Sequence, residues 1–331
     1  MQASEHILLK NLGKLIGNLA TNGVFWMRSI RTDLAMESFE ASGGAQMPGV
    51  HVSRWETMGV QLTEVVIEDD GAARALHKAV GCYMTLECPA VRQRDLDARL
   101  ALSNLLGEEI ARMYHRQSDA PVLVVGLGNR RITPDSLGPQ TVDRTLVTRH
   151  IFTGLAKYAD PRMHSVCALA PGVLGVTGVE TMEMVEALCK FVRPQAVICI
   201  DSLAARASSR IGAAIQLTDT GIQPGSGVGN HRRRLDRDTL GVPVIAVGMP
   251  TVIYASTLAC DAMALLAGEE PGEGALEDVE KQLAQTQLGE MIVTPREVDD
   301  LISDAAGVIA AAVNHALQPE LSREEIMALM D

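Results

Sequence analysis

The sequence lacks the patterns that identify several common classes of protein. None of its six cysteines forms a CxxC pair, and three lie in apolar runs, so we expect buried thiols rather than disulfides or zinc ligands. Such cysteine usage favours a reducing, cytoplasmic setting. No stretch of 18 or more apolar residues occurs, so no transmembrane helix is expected. A secretory signal is not expected either, because the N-terminal stretch has no basic start.

Positive charge is also scarce. The chain has 29 lysines and arginines against 41 aspartates and glutamates, a formal net charge of −12. This balance argues against general affinity for nucleic acid or for anionic membranes. A hydrophobic content of 47% and a charged content of 21% are typical of soluble globular proteins.

Several cofactor and nucleophile motifs are missing as well. The stretch GLGN at 126–129 starts like a dinucleotide-binding turn, but Arg131 stands where the third glycine is required. The sequence contains no Walker motif, no HExxH, no GxSxG and no cysteine-centred nucleophile motif. We therefore predict no cofactor.

What the chain does contain is an alternation of apolar strands and helical segments from residue 121 onward. Such spacing favours parallel strands joined by right-handed crossovers, and hence an α/β fold. Earlier in the chain, 59–69 and 82–91 resemble paired strands and 96–114 resembles a helix. The predicted strands of the α/β region are 121–126, 165–170, 196–201, 211–217 and 242–247, and the predicted helices are 136–149, 178–191, 251–267 and 295–316.

Two aspartates follow strands of this region. Asp135 comes after PVLVVGLGN, and Asp201 ends AVICID. Each could simply cap a helix. At the carboxyl ends of neighbouring strands, however, functional residues gather, and two carboxylates there could serve as acid and base or begin a metal site. Which aspartate would take which role is open, because a coupled pair titrates as a unit.

Glycine-rich loops and arginines surround the expected pair. The loops at 170–181 and 219–235 would let an extended peptide approach the backbone closely, although ordinary turns explain them equally well. Arg206 and Arg210 follow Asp201 and could hold an acidic side chain of a substrate. The basic run at 231–234 is either a solvated face or a further grip on an acidic substrate.

Seven ordered blocks of the sequence closely resemble the germination protease family of spore-forming bacteria, from Ile30 to about Leu317. The blocks are VVGLGNRRITPDSLGP, VTRHIF, APGVLGVTGVET, IDSLAARASSR, DTGIQPGSGVGNHRRRL, LGVPVIAVGMPTV and VTPREVDDLISD. The resemblance implies a three-layer α/β fold with a mostly parallel sheet flanked by helices, similar to hydrogenase maturation endopeptidases, with an N-terminal β-containing extension. It implies a propeptide at 1–33, an N-terminal portion at 34–118 and a peptidase core at 119–331.

The same resemblance implies an activity. Members of the family are endopeptidases that start the degradation of small acid-soluble spore proteins during germination, in the spore core, as homotetramers. They are made as zymogens that shorten themselves, and the matching cleavage point here is the Asp33–Leu34 bond in RTDLA. The essential aspartates of this atypical acid-protease group match Asp135 and Asp201. No metal, nucleic acid or membrane partner is implied.

The chain departs from the family pattern at three places, and two other functions stay open. The stretch before RTDLA is longer than the family resemblance leads us to expect. Tyr254 stands where family members carry an aspartate, and the segment 268–290 is shorter than in familiar members. One alternative is a metal-dependent peptidase, which would need a third ligand such as His164 or His231. The other is an inactive homologue that only binds peptides.

Overall fold

The protein is built on a β-sheet with helices on both faces, seen in a computed structural model that describes residues 32–44, 47–155, 157, 159–223, 233–267 and 286–330. Its strands follow the β-branched and aliphatic runs of the sequence. They are β1 (Val50–Thr57), β2 (Val60–Ile67), β3 (Gly81–Glu87), β4 (Val122–Gly126), β5 (Val166–Leu169), β6 (Ala196–Ala205), β7 (Ala214–Thr218), β8 (Val244–Tyr254) and β9 (Ile292–Val293).

The sheet is mixed in strand direction. Eight strands lie in the order β1-β2-β3-β7-β8-β6-β4-β5. The pairs β4–β5, β4–β6 and β6–β8 are parallel, whereas β1–β2, β2–β3, β3–β7 and β7–β8 are antiparallel. The N-terminal strands therefore extend the sheet whose parallel part carries the two aspartates, and the predicted pairing of 59–69 with 82–91 is confirmed.

Twelve helices occur among the described residues. Three short 3₁₀ helices accompany them at Pro89–Gln93, Thr133–Asp135 and Ser208–Arg210. The α-helices are α1 (Ala35–Ala41), α2 (Asp70–Leu76), α3 (Leu96–Tyr114), α4 (Leu137–Val142), α5 (Arg149–Gly154), α6 (Leu174–Thr177), α7 (Thr181–Val192), α8 (Arg237–Leu240), α9 (Ala255–Ala267), α10 (Gln287–Glu290), α11 (Val298–Leu317) and α12 (Arg323–Met330).

The two faces of the sheet bury different helices, which confirms the predicted three-layer α/β class. On face 1, the apolar sides of α3 and α11 pack on alternate residues of the central strands in one large cluster that includes Ile198, Ile200 and Ile215. On face 2, α7 covers β4 and β6, while α1 and α2 cover β2 and β3. Because both faces are covered, β4 is buried along its whole length, as expected for a parallel strand.

Three predicted elements differ from the structure. The predicted parallel pairing of 211–217 is wrong, because only eight residues separate β6 from β7, too few for a crossover. The predicted helix 136–149 is interrupted between α4 and α5, where the Leu146 N–H donates to Asn314 Oδ1 at 2.8 Å. The predicted helix at 251 begins four residues later, because the β-branched run Thr251–Ile253 continues β8.

The described residues divide into two compact units. The smaller comprises 254–267 and 286–292, where the Ala255 N–H donates to the Met291 carbonyl at 3.0 Å. The larger comprises all other described residues. No described helix is both long and apolar enough to cross a membrane. The predicted helical pattern within 1–29, most of the loop 219–235 and most of the segment 268–290 lie outside the described residues.

Candidate active site

Asp201 lies inside β6, at the point where that strand loses one of its neighbours. The pairing of β4 with β6 ends at Gly126 and Ile200, whereas β8 remains beside β6 as far as Ala205. Asp201 is 8% exposed, and its Oδ1 accepts a hydrogen bond of 2.8 Å from the Ser202 N–H. No helix starts here, so the capping alternative is wrong for this residue.

Asp135 is held in the loop that follows β4. Its Oδ2 accepts a hydrogen bond of 2.8 Å from the Asn129 N–H. The hydroxyl of Thr251, in β8, donates to the Pro134 carbonyl at 2.8 Å and ties the loop to the sheet. The N-cap of α4 is Ser136, so capping does not explain Asp135 either.

Gly128 shapes this loop. Its φ is +108°, and a Cβ atom there would lie 2.0 Å from the Asp135 carbonyl oxygen. A side chain would therefore push Asp135 away, and the conformation itself is unfavourable for any residue with a Cβ. Gly128 of GLGN thus serves the placement of a carboxylate.

The structure brings the two predicted aspartates together with a third carboxylate. Burial is the main cause that raises the pKa of Asp201 well above its ordinary value, and the negative charge of Asp135 adds to the rise. Asp33, the residue before the predicted cleavage bond, contributes in the same direction, while the Ser202 N–H opposes it. Asp201 therefore favours its protonated form, as one member of a carboxylate pair does.

The predicted cleavage segment is bound to the sheet beside this pair. The Asp33 N–H donates to the Ala204 carbonyl at 3.0 Å, and the Ala204 N–H donates to Asp33 Oδ2 at 2.8 Å. The Gln216 amide donates from Nε2 to the Asp33 carbonyl at 3.0 Å, and its Oε1 accepts from the Ala35 N–H at 2.7 Å. Leu34 is fully buried between these contacts.

A polar row runs across face 2 beneath this segment. Asp201 lies opposite Gly248 in β8, and Gly248 lies opposite Gln216 in β7. The row continues through Thr85 in β3 to Thr63 in β2. Both threonine hydroxyls are buried without a hydrogen-bond partner among the described residues. Four polar side chains and one glycine thus form a single row across five strands.

Lys78, which sequence reasoning missed, supplies positive charge beside Asp33. Its Nζ donates to the Thr32 carbonyl at 2.8 Å. Burial raises the pKa of Asp33, and the Lys78 charge opposes that rise. Conversely, burial lowers the pKa of Lys78, and the charge of Asp33 opposes the fall. No motif marks this lysine, because its role depends on a segment 46 positions earlier in the sequence.

The predicted substrate-binding arginines lie on the other side of the segment, around Glu37. Arg210 donates to Glu37 at 3.1 Å, to Glu40 at 2.9 Å and to Glu87 at 2.8 Å. The Arg206 N–H donates to Glu37 Oε2 at 2.6 Å, and the Thr32 hydroxyl contacts the same oxygen. In the intact chain Arg210 therefore binds acidic side chains that follow the bond, and its role toward a substrate stays a prediction.

His164, one of the two residues proposed as a further metal ligand, lies away from the aspartates. His164 precedes β5, at the amino ends of the parallel strands, whereas Asp135 and Asp201 lie toward the carboxyl ends. It contacts Arg116 there. His231 lies outside the described residues. Within the ranges that the structure describes, no group of three or more His, Cys, Asp or Glu side chains is placed to hold a metal ion.

The cysteines behave as the sequence predicts. All six are free thiols, and four are buried. Cys199 lies two residues before Asp201, and burial, together with the Asp201 charge, raises its pKa. A thiol that keeps its proton is a poor nucleophile, so this neighbour does not compete with the carboxylates for the role of reactive group. Tyr254, where the family pattern has an aspartate, is the buried last residue of β8.

Two aspartates gathered at the end of parallel strands, next to a bound segment of the same chain, are suited to acid–base chemistry on a peptide bond. The family model described as germination protease matches residues 30–286. A germination protease of Caldanaerobacter subterraneus subsp. tengcongensis is 40% identical over 317 residues, covering 91% of this chain and 98% of that protein.

Two further relatives agree with this match. A germination protease of Clostridium tetani is 36% identical over 322 residues, covering 92% of this chain and 100% of its own. One of Bacillus cereus is 36% identical over 351 residues, covering 89% and 95%. The chain therefore belongs to the germination protease family, and so to the peptidases.

Proposed function

We propose that this protein is an endopeptidase of the aspartic type that removes its own residues 1–33 and then acts on small acid-soluble spore proteins. The observation that carries the proposal is the binding of the Asp33–Leu34 segment to Ala204, on the strand that carries Asp201, and to Gln216, two strands away. A bond presented in this way, beside two carboxylates, is already in position for attack.

The carboxylate pair divides the chemistry in the proposed mechanism. Because the pKa of Asp201 is raised by burial and by the Asp135 charge, the shared proton resides on Asp201. Asp135, which is half-buried and accepts the Asn129 N–H, then acts as the base that takes a proton from water. The water oxygen attacks the Asp33 carbonyl carbon, and Asp201 gives its proton to the departing Leu34 nitrogen.

The wider setting follows from the family resemblance. We propose the spore core as the location, a homotetramer as the assembly and acidic residues as those that precede the cut. Lys78 and the Ala204 N–H, which both act on the Asp33 carboxylate, support the last of these. A metal-dependent reaction would make activity sensitive to chelators, and an inactive homologue would leave its segment uncut.

Mass spectrometry of purified full-length protein tests the proposal. Wild type, Asp201→Asn and Asp135→Asn are incubated at mildly acidic and at neutral pH, with and without a chelator. Asp143→Asn is the matched control, because that carboxylate only pairs with Arg130 at the surface. We expect wild type and the control to lose residues 1–33 and both site variants to stay intact. Equal cleavage by all four proteins would refute the aspartate mechanism, and loss of cleavage on chelation would favour a metal.

A further inference from the structure

Gln216 holds the predicted cleavage bond from both sides. Its Nε2 donates to the carbonyl oxygen of Asp33, and its Oε1 accepts from the N–H of Ala35. The backbone partners fix the orientation of the amide, because a carbonyl only accepts and an N–H only donates. The Asp33–Leu34 bond therefore lies between the two hydrogen bonds of a single side chain.

Gln216 lies in the same row of the sheet as Asp201, with one strand between them. Ile200, Ile215 and Leu217 point into the core of face 1, so Asp201 and Gln216, which alternate with them, point to face 2. The residue between the two in the row is Gly248, which has no side chain. With two strand spacings between them, their Cα atoms are about 10 Å apart. The Leu203 side chain lies over Gly248, where a Cβ atom would be 2.6 Å from Leu203 Cγ.

A buried glutamine in this strand lowers the stability of the fold unless its amide is fully hydrogen-bonded. It is 6% exposed in a strand whose other residues are all buried, and a buried amide costs stability unless both of its ends are bonded. The two groups that bond the Gln216 amide, the Ala35 N–H and the Asp33 carbonyl, belong to the segment at residues 33–35 and not to the sheet. The side chain is thus satisfied by the peptide that it binds, which points to a ligand-binding role.

We propose that Gln216 is a catalytic residue of the peptidase: its Nε2–H donates to the carbonyl oxygen of the bond being cut and stabilises the negative charge that forms there. This inference rests on the proposed function. When water adds, the new C–O bond forms as a carboxylate takes the water proton, and the carbonyl π electrons move to the oxygen that Gln216 contacts. When the C–N bond breaks, those electrons reform the carbonyl, and the nitrogen receives the proton of the other carboxyl.

An amide is well suited to this position. It does not titrate in the range in which the neighbouring carboxylates do, so its donor is present at every pH at which they work. A donor aimed at a developing oxyanion in a water-poor site contributes about 10²–10³-fold to kcat. The second bond, to Ala35, keeps the peptide in register with that donor.

The test is the rate at which the full-length chain loses residues 1–33. Gln216→Glu keeps the acceptor for Ala35 and loses the N–H donor. Gln216→Met loses both without adding a buried charge. Gln318→Glu is the matched control: Gln318 is fully buried and bonds both the N–H and the carbonyl of His164, at 2.8 and 2.9 Å, near the opposite ends of the strands. Circular dichroism confirms that each variant is folded.

We expect processing to slow about 100-fold in both Gln216 variants and to be unchanged in Gln318→Glu. We also expect the ratio of the Gln216→Glu processing rate to the wild-type rate to rise as pH falls, because a protonated carboxyl group regains an O–H donor. The same ratio for Gln216→Met should not change with pH. Should Gln216→Glu fail to fold, the Gln216→Met rate decides.

Three results would overturn the inference. If a folded Gln216 variant is processed at the wild-type rate, the donor role is refuted, but the proposed function is not. If both variants are slowed equally and neither ratio to the wild-type rate changes with pH, Gln216 has only a structural role. A wild type that never cleaves would refute the proposed function itself, and the role of Gln216 with it.

Discussion

Replacement of Asp201 by asparagine should stabilise the protein, although it removes a residue of the proposed site. Asn is nearly the same size and can still accept the Ser202 N–H, but it carries no charge. Asp201 binds its proton more tightly in the folded protein than in the unfolded chain, since burial and Asp135 raise its pKa well above the ordinary value of 3.8. At neutral pH its ionised form therefore costs folding free energy.

The size of the effect follows from linkage. Each unit by which the folded pKa exceeds the unfolded one costs about 1.4 kcal/mol at a pH above both values. We therefore expect Asp201→Asn to raise the free energy of unfolding at pH 8. The gain should shrink as pH falls through the folded pKa, and it should vanish below 3.8, where both states of the wild type are protonated.

Urea unfolding at pH 8, 6 and 4, at one protein concentration and with intact mass verified, measures this difference. Asp236→Asn is the control of opposite sign. Although burial acts against it, hydrogen bonds from Thr239 and the Arg234 charge lower the pKa of Asp236. Its charge therefore stabilises the fold above the ordinary pKa, and the asparagine variant should gain nothing at pH 8. A less stable Asp201→Asn, or a gain independent of pH, would refute the reasoning.

Three further predictions concern the segment and its loop. Gly128→Ala should lower the free energy of unfolding by roughly 1–3 kcal/mol and slow processing. Gly241 has φ +73° but open space around it, so Gly241→Ala should lower the free energy of unfolding by about 1 kcal/mol and leave processing unchanged; equal effects of the two variants in urea unfolding and mass spectrometry would contradict this. Asp33→Asn should slow processing less in the Lys78→Met background than in the wild type, and the two ratios of rates should differ by about tenfold or more, which corresponds to about 1.4 kcal/mol. Additive effects in this double-mutant cycle would show that Lys78 does not take part in recognising the Asp33 carboxylate. Glu37→Gln should lower the free energy of unfolding by about 3 kcal/mol, because it breaks a buried ion pair; a loss below about 1 kcal/mol in urea would show that Arg210 is satisfied without it.

The sequence revealed those parts of the site that depend on local pattern. Apolar runs predicted β4 and β6 and drew attention to Asp135, in the loop after the first, and to Asp201, at the end of the second, and the family resemblance pointed to the Asp33–Leu34 bond. The register between the strands, which places Gln216 in the site, could not be predicted in the same way. Gln216 interrupts the run AAIQLT, and this polar residue in a buried strand is a signal that could have been noticed. Its position in one row with Gly248 and Asp201 could not be predicted, because the sequence of a single strand does not determine its register with strands far away in the chain.

Tertiary contacts explain the other differences. The helix predicted for 136–149 stops after Val142 because Leu146 bonds to Asn314 of α11 and Thr148 bonds to the strand β5 at Val166. These bonds replace helical ones, so propensity alone does not decide the outcome. The Lys78 amine bonds the Thr32 carbonyl and acts on the Asp33 charge for a similar reason, since 46 positions of sequence separate Lys78 from Thr32.

Unfavourable electrostatics and two unbonded hydroxyls lie in one row of face 2, and this combination is itself informative. Near the opposite ends of the strands, by comparison, Gln318 bonds both backbone groups of His164. Along the row, by contrast, Asp201 is held among carboxylates, and the hydroxyls of Thr63 and Thr85 have no partner among the described residues. A sheet selected only for stability would fill this row with apolar side chains, as its neighbouring rows are filled. Polar groups that lower stability persist where they bind or transform something, and the segment that now lies over them carries the peptide bond that the site is proposed to cut.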